Sequence, residues 1–326
     1  MTHSHRELTA LLDQHGLHPS RALGQNFVAD ANTVRRIARL ADVGPGDRVL
    51  EIGAGLGSLT LALADTGASV TAVEVDRHLV PVLRSVVGDR AAVVEGDATR
   101  LDWDTVLGGD AGWVLVANLP YNVATPLVAD LLDFVPGVAR MLVMVQKEVG
   151  ERLAAGPGDA AYGAVSVKVS YWATARVAGL VPPTVFVPRP NVDSALVAIT
   201  RRPAPAVDPA LVGPEELFAL VRAGFAQRRK MLRRALAGVA SPAAFEAAGI
   251  APTARAEELS VEAWGALAAA IAAGRAGAGR EAEAGSRGEG GEAGGRGEGG
   301  HGEGGRGEAG ETSVRPPASA GPAGRR

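Results

Sequence analysis

The sequence predicts an α/β protein with a doubly wound sheet domain over residues 1–205, a small all-helical domain over 206–273 and a disordered tail over 274–326. Three observations predict it. Between residues 30 and 200, short β-branched runs alternate with amphipathic stretches, the pattern of a parallel sheet with crossover helices. After Pro203, Pro205 and Pro209 only helical periods remain. From Gly274 onward the chain holds 19 of its 43 glycines with eight Arg and eight Glu, so it has no net charge and too little apolar surface to fold alone.

The strands follow from their β-branched content: RVLEIG (48–53), SVTAVEV (69–75), AAVVEG (91–96), WVLVANL (113–119), ARMLVMVQ (139–146), ATARVAGLV (173–181) and SALVAIT (194–200). Between them, 59–64, 79–86 and 126–132 have the length and spacing of crossover helices. In the helical domain the periodic segments are EELFALVRAGFAQRRKMLRRALAG, PAAFEAAG and VEAWGALAAAIAA.

Zero cysteines exclude a disulfide framework, Cys-based metal sites and thiolate catalysis, and fit a reducing cytoplasm. The first residues carry an early acidic side chain where a signal peptide needs a basic head and an apolar stretch. No segment approaches the ~20 apolar residues of a membrane span, so no membrane association is expected. His3, His5, His15 and His18 crowd the start without fixed ligand spacing to carboxylates, and they read as surface histidines with no metal.

Chemistry concentrates at the predicted carboxyl ends of the strands, the edge where open α/β sheets bind ligands. The first strand runs into Gly53-Ala54-Gly55-Leu56-Gly57, with Ser58 where the dinucleotide fingerprint needs a third glycine. That spacing argues against NAD and toward S-adenosylmethionine, which needs no pyrophosphate cradle; a purely structural turn is the alternative. Glu74 closes the second strand, placed for its carboxylate to take both ribose hydroxyls of a nucleoside. Asp97 follows the third strand, where a side chain commonly reaches an adenine amino group. Asn118-Leu119-Pro120-Tyr121 ends the fourth. Here the Asn118 oxygen and the Leu119 carbonyl suit the two hydrogens of an exocyclic amine, and Tyr121 suits stacking on a base.

The segments GQNFV (24–28), GAGLGSLT (53–60), NLPYNVATPL (118–127) and VFVPRPNVDS (185–194) together resemble the KsgA (RsmA) family of ribosomal RNA adenine dimethyltransferases, over about residues 5–272. The resemblance implies a Rossmann-like class I S-adenosylmethionine-dependent methyltransferase domain with a helical C-terminal RNA-binding domain. The implied substrate is two adjacent adenosines near the 3′ end of 16S rRNA in a small-subunit precursor, each methylated twice at N6 by a monomeric enzyme. It further implies that Asn26, Val28 and Gly55 line the cofactor site, with Gly53 at the methionine part, Glu74 at the ribose, and Asp97 and Asn118 near the adenine. Val28 stands where the family usually has Leu, a change that a backbone contact survives. Phe186 would face Tyr121 across the flipped base; the alternative is a hydrophobic plug.

Arg222, Arg228, Arg229, Lys230, Arg233 and Arg234 put six positive charges and no acid within thirteen residues, favouring phosphate contacts over a merely solvated helix face. Two rivals share these features. An Erm-type enzyme would methylate one 23S rRNA adenosine; a ribosome-assembly factor would chiefly bind RNA.

Overall fold

Burial on both faces forces the central strands to read as near-continuous apolar runs, and this computed structural model, which describes residues 3–120 and 123–288, places those runs in the middle of one sheet. The strands are β1 (Phe27–Val28), β2 (Arg48–Ile52), β3 (Ser69–Glu74), β4 (Ala91–Glu95), β5 (Trp113–Asn118), β6 (Val138–Gln146), β7 (Ala173–Val181), β8 (Phe186–Val187) and β9 (Ser194–Arg201). The main sheet has seven strands in the order β4-β3-β2-β5-β6-β9-β7. β2 to β6 pair in parallel, and β9 runs antiparallel between β6 and β7. A separate pair, β1 with β8, sets Val28 opposite Phe186.

The helices are α1 (His5–Gln14), α2 (Ala31–Ala41), α3 (Ser58–Ala64), α4 (Val80–Val87), α5 (Trp103–Leu107), α6 (Ala124–Phe134), α7 (Lys147–Ala154), α8 (Ala164–Trp172), α9 (Pro214–Ala226), α10 (Leu232–Ala235), α11 (Pro242–Ala247) and α12 (Val261–Gly288). Side-chain caps start several of them. Asp30 accepts from the Thr33 amide ahead of α2, Ser4 and Glu7 form a capping box on α1, and Ser241 accepts from the Ala244 amide at α11.

Alternating side chains divide the sheet's apolar mass between its faces. Leu50, Leu115 and Val143 point to one core, shared with Leu127 and Leu131 of α6. Val49, Val114 and Leu142 point to the other, shared with Val34 and Ile37 of α2. A further core gathers Leu217, Phe245 and Trp264, with Trp264 fully buried. This core also takes Val167 and Tyr171 of α8 and Tyr162, whose hydroxyl donates to the Leu259 carbonyl at 2.9 Å. Packing therefore does not divide at 205/206: α8 belongs to both parts, and Met1–Ala278 is one compact unit.

Of the segment expected as a tail, residues 274–288 continue α12, and 289–326 lie outside the described residues. One expectation is corrected. The basic segment is not one helix. α9 ends at Ala226, residues 227–230 turn, and Met231 bridges to Arg255 before α10 begins, because that bridge seats Leu232 in the helical core.

The buried anchors of α12 end at Ile271, while Ala273 to Ala276 are exposed. Truncation after Ala273 is therefore expected to shift the melting temperature by less than about 2 °C, since exposed positions contribute within about 0.5 kcal/mol each. Differential scanning calorimetry checks this, and a drop of about 5 °C would show that the last turns carry packing.

Candidate active site

The carboxyl ends of β2, β3, β4 and β5 lie along one edge of the sheet and line two neighbouring cavities that share Leu23, Gly53, Val75 and Pro120. At the end of β2 the chain turns through Gly53, Gly55 and Gly57, all at positive φ (77°, 58° and 82°). A Cβ on Gly55 would come within 2.9 Å of the Phe27 ring, so this glycine is needed for contact as well as conformation. Phe27 in turn packs with Leu8 and Leu12 of α1, which roof the glycine turn.

Glu74 ties the turn to β3. Its carboxylate accepts from the Gly55 amide at 2.7 Å and from the Asp76 amide at 2.9 Å. It is only 4% exposed, and burial pushes its pKa up against the pull of these donors. Each oxygen still has a lone pair for a further donor from the cleft, which Glu74 lines together with Gly53 and Asn118.

Asn118 is set from the opposite wall. Its amide nitrogen donates to the Asn26 carbonyl at 2.9 Å, and because that carbonyl can only accept, the assignment leaves Asn118 Oδ1 as the free acceptor. The wall itself is latched at a second point. Gln25 Nε2 donates to Asp76 Oδ2 at 2.9 Å, while Gln25 Oε1 accepts from the Ser20 amide at 2.7 Å. The Asn26 side chain donates to the Gly24 carbonyl at 3.1 Å. Sequence reasoning named Asn26 and missed Gln25 and Asp76. The available signals were the Gln-Asn doublet and a second acid two residues after Glu74.

Asp97 lines a cavity of about 160 Å³ with Leu23, Val75, Gly96, Thr99 and Pro120. Its carboxylate accepts from the Thr99 amide and hydroxyl at 2.9 and 2.8 Å, which hold its pKa below the usual range. Val75 offers this cavity an apolar side chain that is 47% exposed. Leu119 contributes backbone only: its side chain is buried and its amide donates to the Met144 carbonyl at 3.0 Å. Pro120 lies on the cleft, and Tyr121 lies outside the described residues.

Val28 and Phe186 are brought together, but in a core. Phe186 is 4% exposed and packs with Val28 and the apolar face of α2. The ring expected to face the base is thus buried beside Val28, and its expected partner Tyr121 lies outside the described residues. Val28 borders a small cavity that also touches Glu51, Ser58 and Asn118.

Glu51, which sequence reasoning passed over, is 1% exposed, and burial pushes its pKa up to about 8. Neither Glu51 Oε2 nor Ser58 Oγ has a hydrogen-bond partner among the described residues. The folded protein thus prefers the neutral acid, whereas the unfolded chain ionises near 4.5. Stability from neutral Glu51 is complete below the unfolded value and is lost as pH rises toward 8. Glu51→Gln is neutral throughout, so its melting temperature should match wild type at pH 5 and exceed it by about 3 °C or more at pH 8.5. Thermal melts across that range check the sign, and an advantage that shrinks with rising pH would refute it.

Of the basic residues, Arg222, Arg229, Lys230, Arg233 and Arg234 are exposed. Arg228 is engaged differently: its guanidinium pairs with Glu257 at 2.6 Å and donates to the Ala160 carbonyl at 2.8 Å, fixing the turn. Among the described residues no cluster of three metal-ligand side chains forms, and no helix is long and apolar enough to cross a membrane.

Comparison with known proteins agrees with this geometry. Residues 18–273 match the family model described as ribosomal RNA adenine dimethylase. "Ribosomal RNA small subunit methyltransferase A" of Kineococcus radiotolerans is 50% identical, over 86% of this chain and 95% of the relative. The protein of the same name from Streptomyces coelicolor is 51% identical, over 79% and 91%. Among solved structures, the 23S rRNA methyltransferase ErmE superposes with a TM-score of 0.58 at 25% identity, covering 75% of this chain and 99% of that one. A dimethyladenosine transferase from Plasmodium falciparum superposes at 0.62 with 23% identity, covering 73% and 94%, which supports the class I methyltransferase fold. With the glycine turn, Glu74 and Asn118 aligned on one sheet edge and a family match spanning the sheet's two cores and the helical one, the chain belongs to the ribosomal RNA adenine dimethylase family.

Proposed function

We propose that this protein transfers methyl groups from S-adenosylmethionine to N6 of two adjacent adenosines in the 3′-terminal hairpin of 16S rRNA, giving N6,N6-dimethyladenosines during small-subunit assembly. The observation that carries the reading is the fixed orientation of Asn118, an acceptor oxygen held at the mouth of a glycine-walled cleft.

The residues present fit the cofactor. Gly53 and Gly55 leave the backbone open beside the methionine part, and the Glu74 carboxylate keeps lone pairs for the ribose hydroxyls. Asp97 and the exposed Val75 frame a cavity suited to adenine. When bound, the cofactor supplies a methyl already activated by its sulfonium. The chain's own task is then positioning and electrostatics. Asn118 Oδ1 and the Leu119 carbonyl accept the two N6 hydrogens and draw the nitrogen lone pair out of conjugation with the ring. Leu119's anchored amide and buried side chain hold that peptide still. The proton released on methylation leaves to solvent. The exposed cations at Arg222, Arg229, Lys230, Arg233 and Arg234 serve the phosphate backbone, with Arg228 bracing their turn.

The test is methyl incorporation by the purified protein into small and large ribosomal particles from cells lacking these modifications, followed by mass spectrometry of the RNA. Dimethyladenosine in 16S rRNA is expected. Modification of 23S rRNA alone would make the Erm-type reading correct, and tight particle binding with no methylation would leave an assembly factor.

A further inference from the structure

On the face of the sheet that carries α2, the strands β6, β9 and β7 extend beyond the helix. Their register sets Arg140, Thr200 and Thr174 in one row and Leu142, Ala198 and Arg176 in the next. These side chains share one face because residues two apart on a strand point the same way. The C-terminal end of α2 closes the other side, leaving a groove of about 230 Å³.

The groove and the helix that closes it together carry an excess of positive charge. α2 carries Arg35, Arg36 and Arg39 within two turns, and Arg140 and Arg176 line or border the floor. Asp42 is the acid that lines it. None of the five arginines makes an ion pair among the described residues. Two are anchored through carbonyls: Arg140 donates to the Asp42 carbonyl at 3.1 Å, and Arg36 to that of Leu180 at 3.0 Å. Such bonds fix the guanidinium without neutralising it. Arg39 and Arg176 are exposed, and among the described residues their side chains make no hydrogen bond.

α2 starts directly after β1, whose neighbour Asn26 holds Asn118, and runs about 15 Å to the groove. A positive track therefore leads from the catalytic edge toward the opposite end of the sheet. Its ingredients, guanidiniums with two threonine hydroxyls, are those that contact nucleic-acid phosphates.

We propose that the groove between α2 and β6–β9–β7 is a second phosphate-contact surface for the rRNA substrate, separate from the basic segment at 222–234. This rests on the reading that the substrate is rRNA. It implies that RNA flanking the target hairpin passes along α2 while the target adenosine occupies the cleft.

The test is the double variant Arg39→Glu with Arg176→Glu in the full chain, with unmethylated small-subunit particles and naked 16S rRNA as probes. Both side chains are exposed and unbonded, so melting temperature and calorimetric binding of S-adenosylhomocysteine should match wild type. Affinity for both probes should fall by about tenfold at 0.1 M salt, and the slope of log K against log[salt] should shrink by about 1.5. An unchanged slope on naked RNA overturns the proposal. So does a loss confined to particles, which would mark a protein contact. The broader reading fails separately, if wild type methylates no small-subunit RNA while the slopes still differ.

Discussion

Replacing Asn118 by alanine is expected to lower the single-turnover rate of methyl transfer by about 10²-fold or more, while cofactor affinity stays within about threefold of wild type. The asymmetry follows from where the side chain works. Its nitrogen is spent on the Asn26 carbonyl, so only Oδ1 is left for the acceptor amine of the proposed reaction, and a bond made there would strengthen as the amine nitrogen gains positive charge. Asn118→Asp sharpens the test. Aspartate has the same size but offers an oxygen, not a donor, to the Asn26 carbonyl, so it should turn away or push the wall back, and the rate should fall despite an added negative charge. Rapid-quench measurements on saturating particles distinguish these outcomes. A rate within threefold of wild type in the alanine variant would show that the amine is held elsewhere.

Glu74→Gln is expected to weaken S-adenosylhomocysteine binding by about 10- to 100-fold, the consequence of losing about 1.5–3 kcal/mol from hydrogen bonds to a charged acceptor. Two backbone amides converge on this carboxylate, so a glutamine must point its NH₂ either at the Gly55 amide or at the Asp76 amide. One donor is left facing another in either orientation. The pH dependence has a definite sign. Burial raises the Glu74 pKa, and hydroxyl donors of a ligand need the ionised form, so wild-type affinity should fall on acidification above the usual carboxylate range. The variant's affinity should be flat over the same interval. Isothermal titration at several pH values reads both effects, and parallel curves for the two proteins would assign the pH dependence to another group.

Much of this architecture was legible because the sheet is built from runs that few other structures tolerate. Each of the β-branched segments read as strands is a strand, with ends shifted by a residue at most sites, and β7 matches at both ends. α8 was not legible, and its sequence explains why. AVSVKVSYW is β-branched and alternating, the local signature of a strand. It is helical because Val169 is buried in one core while Val167 and Tyr171 are buried in another, so tertiary packing overrides propensity. The break after Ala226 was hidden for a similar reason, since the Met231–Arg255 bridge joins residues distant in sequence. In the site, Glu74, Asp97 and Asn118 were readable because strand ends in an open sheet share one edge. The Gln25–Asp76 latch spans 51 residues, and no local period records it.

The latched segment has a thermodynamic consequence. Residues 24–27 wall the cofactor cleft, and the Asn26 carbonyl in that same wall orients the group that grips the acceptor. On the proposed reading both ligands lean on this one wall, so they are not expected to bind independently. On that reading, whatever free energy cofactor binding contributes to setting the wall becomes available to the nucleic acid, and linkage makes the effect reciprocal and equal in size. Cooperativity between donor and acceptor is therefore expected to run through a stretch of four residues, and it should vanish when Gln25 can no longer hold Asp76.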